Sequence, residues 1–301
     1  MKKTYTKLTL KILNELVEFR TSVGIITSVI SGTVYAFYLH KTFNSLLFLA
    51  MLTASILLDG AATVFNHFFD FKNAKTKEGY LYNVHNPIVA YKLSPVTAFI
   101  IGIFLVMAAG LLGIYIILST HWILLPVGGL SILISYFYSG GKYPISHTPF
   151  GEIVSGFFEG TIVFSIAYFV QSSSYSLHVL LVSVPIALGI ANIMLANNTC
   201  DTEEDKQNGR NTLPIVIGQD NAIKVLYISH ILMYILNTIY FLLGYLPVGI
   251  LITYLLLPII IKNLRFFDKN RTKEKGFVYI LKNSIIFNLM EILSLYVFSL
   301  L

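Results

Sequence analysis

Charge is scarce in this sequence. Asp, Glu, Lys and Arg make up 12% of its 301 residues, about half the share of an ordinary soluble chain, so a water-solvated globular fold is excluded. The single cysteine, Cys200, cannot form an internal disulfide, and no second cysteine or histidine stands at a spacing that would build a zinc site. Glycine shows no three-residue period, which removes collagen, and the dominance of apolar residues removes disorder. With one tryptophan, Trp122, the aromatic content rests on 22 Phe and 19 Tyr. What fills the chain is apolar: 55% hydrophobic residues and a mean hydropathy of +0.73. Such a composition belongs to a polytopic membrane protein.

Apolar runs of about 17–25 residues, the length that crosses a hydrocarbon core, fall at 21–40, 45–66, 95–118, 122–138, 152–170, 177–199, 221–243, 246–262 and 277–299. Their length excludes a membrane β-barrel, whose strands alternate over about ten residues. The expected fold is therefore all-α, a bundle of about nine transmembrane helices. Residues 1–20 form a polar N-terminal segment and 21–301 a single membrane domain. No cleavable signal peptide is expected, because Lys2, Lys3, Lys7, Lys11 and Arg20 are spread too far ahead of the first run.

Lys and Arg collect on cytoplasmic loops, and this orients the bundle. Placing the N-terminus inside puts every Lys and Arg except Lys41 in or beside the N-terminal segment and the loops after spans two, four, six and eight. The net charge of +6 is then a topology signal, and nucleic acid is not an expected partner. The cluster Lys262, Arg265, Lys269, Arg271, Lys273, Lys275 is expected to hold a loop at the anionic inner leaflet. Outer loops are short and inner ones long, so function is expected at the cytoplasmic face of a cell membrane.

The acids point to the same face. Asn66-His67-Phe68-Phe69-Asp70 closes the second span and Asn197-Asn198-Thr199-Cys200-Asp201 the sixth, each reading Asn-x-x-x-Asp. They lie 131 residues and four spans apart, so a four-helix unit is expected to be internally repeated. On a helix, i and i+4 share a face, so Asn66 with Asp70, Asn197 with Asp201 and Asp201 with Asp205 each present paired oxygens. Such pairs suit Mg2+, a hard cation that keeps water and substrate phosphate in its shell. Two facing pairs would clamp a diphosphate and its metal. The plainer alternative is that these acids neutralise Lys72, Lys75, Lys206 and Arg210 on a solvated loop.

The stretches NHFFDFKNAKT (66–76) and NNTCDTEEDKQNGRNTLPIVIG (197–218) resemble the two aspartate-rich motifs of the UbiA-type membrane prenyltransferases. YFYSGGKYPISHTPFGEIVSGFFEGTIV (136–163) resembles the branch that acts on 1,4-dihydroxy-2-naphthoate in menaquinone biosynthesis. The resemblance implies Mg2+-dependent transfer of a polyprenyl chain from its diphosphate to that aromatic acceptor, with loss of carbon dioxide to give demethylmenaquinone. It implies Asn66, Asp70, Asp201 and Asp205 as metal ligands, with Asp70, Asp201 and Asp205 central to catalysis. Lys72, Lys142 and Arg210 would take the diphosphate charge, beside Asn197 and Asn198. Glu152 would position the acceptor or the segment holding Tyr138 and Lys142, while the Tyr138 ring, with Tyr136, Phe137, Phe65, Phe68 and Phe69 nearby, would shelter an allylic cation. The sequence departs from the family pattern at His67, where an acid is usual, and His67 is expected on the metal side, directly or through water, the alternative being a residue that faces lipid headgroups or the loop. Asp59, Glu159 and Glu291 are further acids inside spans, where charge is costly. Glu291 is expected to serve helix packing.

A 4-hydroxybenzoate acceptor is the neighbouring alternative. From a different class stands a transporter, which also uses repeats and intramembrane acids. Against it, the polar residues crowd the cytoplasmic ends of the spans and not the midplane.

Overall fold

A lipid interior offers no partner to a free amide, so apolar runs of this length must satisfy their backbone locally as helices. The computed structural model describes residues 5–19, 22–73 and 86–301, and no strand occurs among them. Lys2, Lys3, Arg20 and the Ala74–Thr76 end of the first motif lie outside the described residues.

In chain order, α1 (Leu10–Val17) is short and amphipathic, with Ile12, Leu16 and Val17 buried. It is followed by α2 (Val23–His40) and α3 (Ser45–Asn73), a one-turn α4 (Pro87–Ala90), α5 (Pro95–Ser119) and α6 (Leu124–Ser139). The second half holds α7 (Gly151–Ser172) and α8 (Leu177–Cys200), two short cytoplasmic-end helices α9 (Thr202–Gln207) and α10 (Leu213–Ile217), then α11 (Gln219–Leu242), α12 (Val248–Lys269) and α13 (Lys273–Leu300). Eight of these are long and apolar enough to cross a membrane. The run at 122–138 forms only the 16-residue α6, shorter than the ~20 residues a span needs.

Hydropathy misplaces one end that matters. α3 runs on past residue 66 to Asn73 because aromatic packing continues beyond the apolar run. Phe65 and Phe68 stack on Phe99 of α5, and Phe69 meets Tyr136 of α6. The first motif is therefore helical through Asp70 and Lys72, not a loop.

Two of the clusters of buried apolar side chains lie one in each half. Leu16, Val64, Phe65 and Ala98 join α1, α3 and α5, while Leu195, Leu226, Ile260 and Phe287 join α8, α11, α12 and α13. The halves meet where Tyr35 of α2 packs with Phe164 and Tyr168 of α7 and Leu295 of α13, and along α7, whose middle is a π-helical segment, Gly156–Ile162. Here the backbone of α7 lies almost on that of α8: a Cβ on Gly156 would stand 2.6 Å from the Ala187 carbonyl oxygen, and one on Gly160 would stand 2.5 Å from Ala187 Cα. Small residues four apart permit this approach. Polar pairs tie other helices deep in the bundle, Asn237 Nδ2 of α11 donating to Glu291 Oε1 of α13 at 2.5 Å and Asn288 Nδ2 of α13 to Thr27 Oγ1 of α2 at 3.1 Å. Glu291 is thus a packing partner, as its sequence context indicates. Outward, Val96, Ile100, Phe104, Met107, Leu111 and Leu118 form an exposed apolar stripe on α5, which only lipid would solvate.

Candidate active site

The ends of α3 and α8 carry the two Asn-x-x-x-Asp motifs, one in each half-core. Asn66 Oδ1 accepts from Ser139 Oγ, the last residue of α6, at 3.0 Å. One turn further Asp70, almost fully buried, accepts from Arg210 Nη2 at 2.6 Å. In the second motif Asn197 Nδ2 donates to Asp201 Oδ2 at 3.4 Å. The Asp205 amide donates to the Asp201 carbonyl at 2.8 Å, so helical phase carries over from α8 into α9 and puts both carboxylates on one face.

Gly209, at φ +75°, turns the chain back at the end of α9, a conformation that glycine adopts without steric cost. The Arg210 amide then bonds the Asp205 carbonyl at 2.9 Å, and the next amide, of Asn211, bonds the His147 carbonyl at 2.9 Å. This return aims the guanidinium between the motifs: Nη2 meets Asp70, while Nη1 lies 3.4 Å from Asp205 Oδ1. One cation thus joins acids from both halves, and a solvated loop that merely balances charge is not what the chain builds.

Burial pushes the Asp205 carboxyl up to about 6; Arg210 pulls it down, and Asp201 and Asp70 push it up. Glu204 is pushed up to about 7, by burial and then by Asp201. Burial works against the Arg210 charge, but Asp70 and Asp205 outweigh it and hold the guanidinium above its ordinary value.

Asp205 Oδ2 is buried with no hydrogen-bond partner. Among the described residues no three His, Cys, Asp or Glu side chains converge into a ready-made cage. The donor set, carboxylate and amide oxygens with one carboxylate oxygen left unpaired, fits a hard divalent cation that completes its shell from water and a substrate phosphate.

Asn66 and Asn197 also line one end of a cavity of about 290 Å3 between α2, α3, α6, α7 and α8, with Tyr138, Phe158, Met194 and Phe277 on its walls. Asp59 and Glu159 line it too, held by Ser22 Oγ at 2.5 Å and Ser155 Oγ at 3.3 Å. Of the aromatics singled out from sequence, Tyr138 reaches this cavity, whereas Phe65, Phe69 and Tyr136 are spent on packing.

Other expected site residues sit elsewhere. Lys72 is exposed, and Lys142 is exposed with its ammonium 5.2 Å from the Tyr143 ring centre. Glu152 and Asn198 are buried against each other, Oε1 accepting from Nδ2 at 2.8 Å, and join α7 to α8 beside the site. His67 turns its Nε2 to Glu18, 3.3 Å away, at the cavity edge. Sequence reading missed Lys273: it was grouped with the leaflet-facing bases, but its Nζ lies 2.6 Å from Asp201 Oδ2. Nothing in its local spacing sets it apart from Lys269 or Lys275, both exposed.

The UbiA prenyltransferase family pattern matches residues 25–287. The chain belongs to the UbiA prenyltransferase family. As a member it is a multi-pass membrane enzyme that transfers prenyl groups, and the transporter reading falls. The 1,4-dihydroxy-2-naphthoate octaprenyltransferase of Bacillus subtilis (strain 168) is 36% identical over 226 residues, which cover 75% of this chain and 72% of that one. The human UbiA prenyltransferase domain-containing protein 1 is 28% identical over 198 residues, 64% of this chain and 57% of that protein. Among solved UbiA homologues, the one from Archaeoglobus fulgidus bound to DMAPP and Mg2+ superposes with a TM-score of 0.66 at 14% identity, covering 94% of this chain and 99% of that one. The apo homologue from Aeropyrum pernix K1 gives 0.68 at 19% identity, over 91% and 97%. At such identities the likeness is one of fold.

Proposed function

We propose that this prenyltransferase moves a polyprenyl chain from its diphosphate to 1,4-dihydroxy-2-naphthoate, releasing carbon dioxide and giving demethylmenaquinone. The observation that carries the reading is the joining of the two acid motifs through one guanidinium beside a cavity walled by apolar helices. An allylic diphosphate needs both features: compensation of the charge that grows on the leaving group, and a place without water for the cation and its chain. Support for the acceptor comes from the name of the Bacillus subtilis relative.

Asn66, Asp70, Asp201 and Asp205 would hold Mg2+. Bound there, the ion would supply charge compensation to the diphosphate as its allylic C–O bond breaks. Arg210 would turn guanidinium N–H groups from the carboxylates to phosphate oxygens, a geometry to which its planar fork is suited. Lys72 and Lys142, both exposed, would supply positive potential at the approach and not fixed contacts. Asn197 would orient the donor at the cavity end, and Tyr138, with Phe158 and Phe277, would present ring faces to the allylic cation. Glu152 and Asn198 act as positioning residues that fix α7 against α8. The distribution of Lys and Arg supports a site at the cytoplasmic face of the cell membrane, within a single domain over 21–301.

The test uses full-length protein in nanodiscs with Mg2+, a polyprenyl diphosphate and acceptor labelled at the carboxyl carbon. One labelled carbon dioxide should leave per prenyl group transferred. Label retained in the lipid product, as a 4-hydroxybenzoate type of transfer requires, overturns the acceptor assignment.

A further inference from the structure

The basic cluster between α12 and α13 divides into three. Lys262, Arg265, Lys269 and Lys275 are exposed, as suits residues facing a solvated, anionic membrane surface. Arg271 pairs with Asp220 and Asp268, each at 2.7 Å, and so ties the segment to the start of α11. Lys273 turns the other way, onto Asp201, with its side chain only 34% exposed.

The turn that delivers Lys273 is sterically specified. Gly276 is buried against the Asn270 carbonyl and the Phe267 ring with no room for a Cβ, and its amide bonds the Thr272 carbonyl at 2.9 Å. One residue on, Phe277 lines the cavity. The first turn of α13 therefore gives the site both a cation and a wall.

We propose that Lys273 is a substrate-binding residue of the transferase site. Its ammonium binds a phosphate oxygen of the donor, and by its hold on Asp201 it opposes divalent metal until that donor is present. This rests on the reading of Asp201 as a metal ligand. A divalent ion at Asp201 would stand within a few ångströms of Nζ, where like charges repel strongly even under partial solvation. A diphosphate relieves the repulsion, because its oxygens take the ammonium and the metal together. Metal and diphosphate then each raise the affinity for the other, and linkage makes that coupling equal in both directions.

The experiment measures binding, not turnover. Full-length protein in nanodiscs is titrated with Mn2+, with and without inorganic pyrophosphate, and bound metal is read from the loss of the free Mn2+ spin-resonance signal. Lys273→Gln should bind Mn2+ alone about 10-fold more tightly than wild type, on the scale of removing one nearby unit charge. It should bind pyrophosphate about 10-fold more weakly at fixed Mn2+. Lys273→Arg, which keeps the charge, should stay near wild type in both, and this separates a charge effect from misfolding. Mn2+ affinity unchanged in Lys273→Gln, while Asp201→Asn weakens it, overturns the role of Lys273 alone. Mn2+ binding indifferent to Asp201→Asn overturns the metal reading and the proposal with it.

Discussion

Replacing Arg210 with Met keeps an unbranched, flexible but shorter side chain and removes the charge that touches both acid motifs. The guanidinium lies 2.6 Å from Asp70 and 3.4 Å from Asp205, with 10% or less of each of the three side chains exposed. At an effective dielectric near 20 the two attractions amount to about 6 and about 5 kcal/mol before desolvation is subtracted. Experience with buried pairs puts the net cost of removing one partner at about 3–5 kcal/mol, because the remaining charge stays buried without compensation. For a chain of this size the loss should lower the midpoint of thermal unfolding by at least about 6 °C at pH 8. The penalty should also fade in acid. Asp205 titrates at about 6 even with Arg210 beside it, and without that cation its carboxyl moves higher still. A carboxyl raised above its ordinary value contributes stability that is complete at low pH and lost as pH rises through its folded value. Through its Asp205 part the deficit should therefore be smaller at pH 6 than at pH 8, and millimolar Mg2+ should recover part of it at pH 8 by binding the two stranded acids. Size-exclusion after heating steps, at both pH values with and without Mg2+, reads all of this. An equal deficit at both pH values, untouched by Mg2+, would refute the electrostatic reasoning and leave only lost packing.

Chelation of divalent metal should abolish turnover and Mg2+ restore it, and Asp205→Ala should lower kcat by at least ~10²-fold, the scale of losing a preorganised electrostatic group; turnover in excess chelator would remove the clamp. His67→Asp sets a carboxylate against Glu18, which now stands 3.3 Å from the imidazole. It should leave the Mg2+ concentration for half-maximal activity unchanged, and a fall in that concentration would return His67 to the metal side. Gly160→Val would drive a branched side chain into the Ala187 backbone, 2.5 Å from where its Cβ must stand. It should cost about 3 kcal/mol, seen as loss of monodisperse protein, and a normal melting profile would mean that α7 and α8 can part.

The bundle was legible because the solvent imposes it: any run that crosses lipid must be apolar over its own length, and hydropathy reads that locally. The paired motifs were legible for the same reason, since i and i+4 share a face wherever a helix forms. What escaped depends on contacts distant in sequence. Asp70 and Arg210 are 140 residues apart, and only the return at Gly209 makes them partners. Glu152 and Asn198 have the polarity expected of substrate contacts, and the closeness of α7 and α8 joins Glu152 Oε1 to Asn198 Nδ2 at 2.8 Å, which spacing along the chain does not reveal. Lys142 stood beside the motifs in topology, yet its loop points it to Tyr143 and to solvent. Topology places a residue on a side of the membrane; it does not aim the side chain.

The same distinction explains why two matching motifs make an unequal site. The matching motifs end α3 and α8, and α13 follows both. Asp70 and Asp201 hold the same place in the two Asn-x-x-x-Asp motifs, and their cations differ in origin. Arg210, within the second motif's segment, reaches across to the acid of the first; Lys273, from α13, lies against the acid of the second. The acid of the first motif thus meets a cation of the second, which also reaches Asp205 at longer range. A truncated chain ending before α13 would lose Lys273 and Phe277 together, removing a charge from the metal end and a wall from the cavity. On the proposed role of Lys273, α13 is part of the site and not only a closure of the bundle.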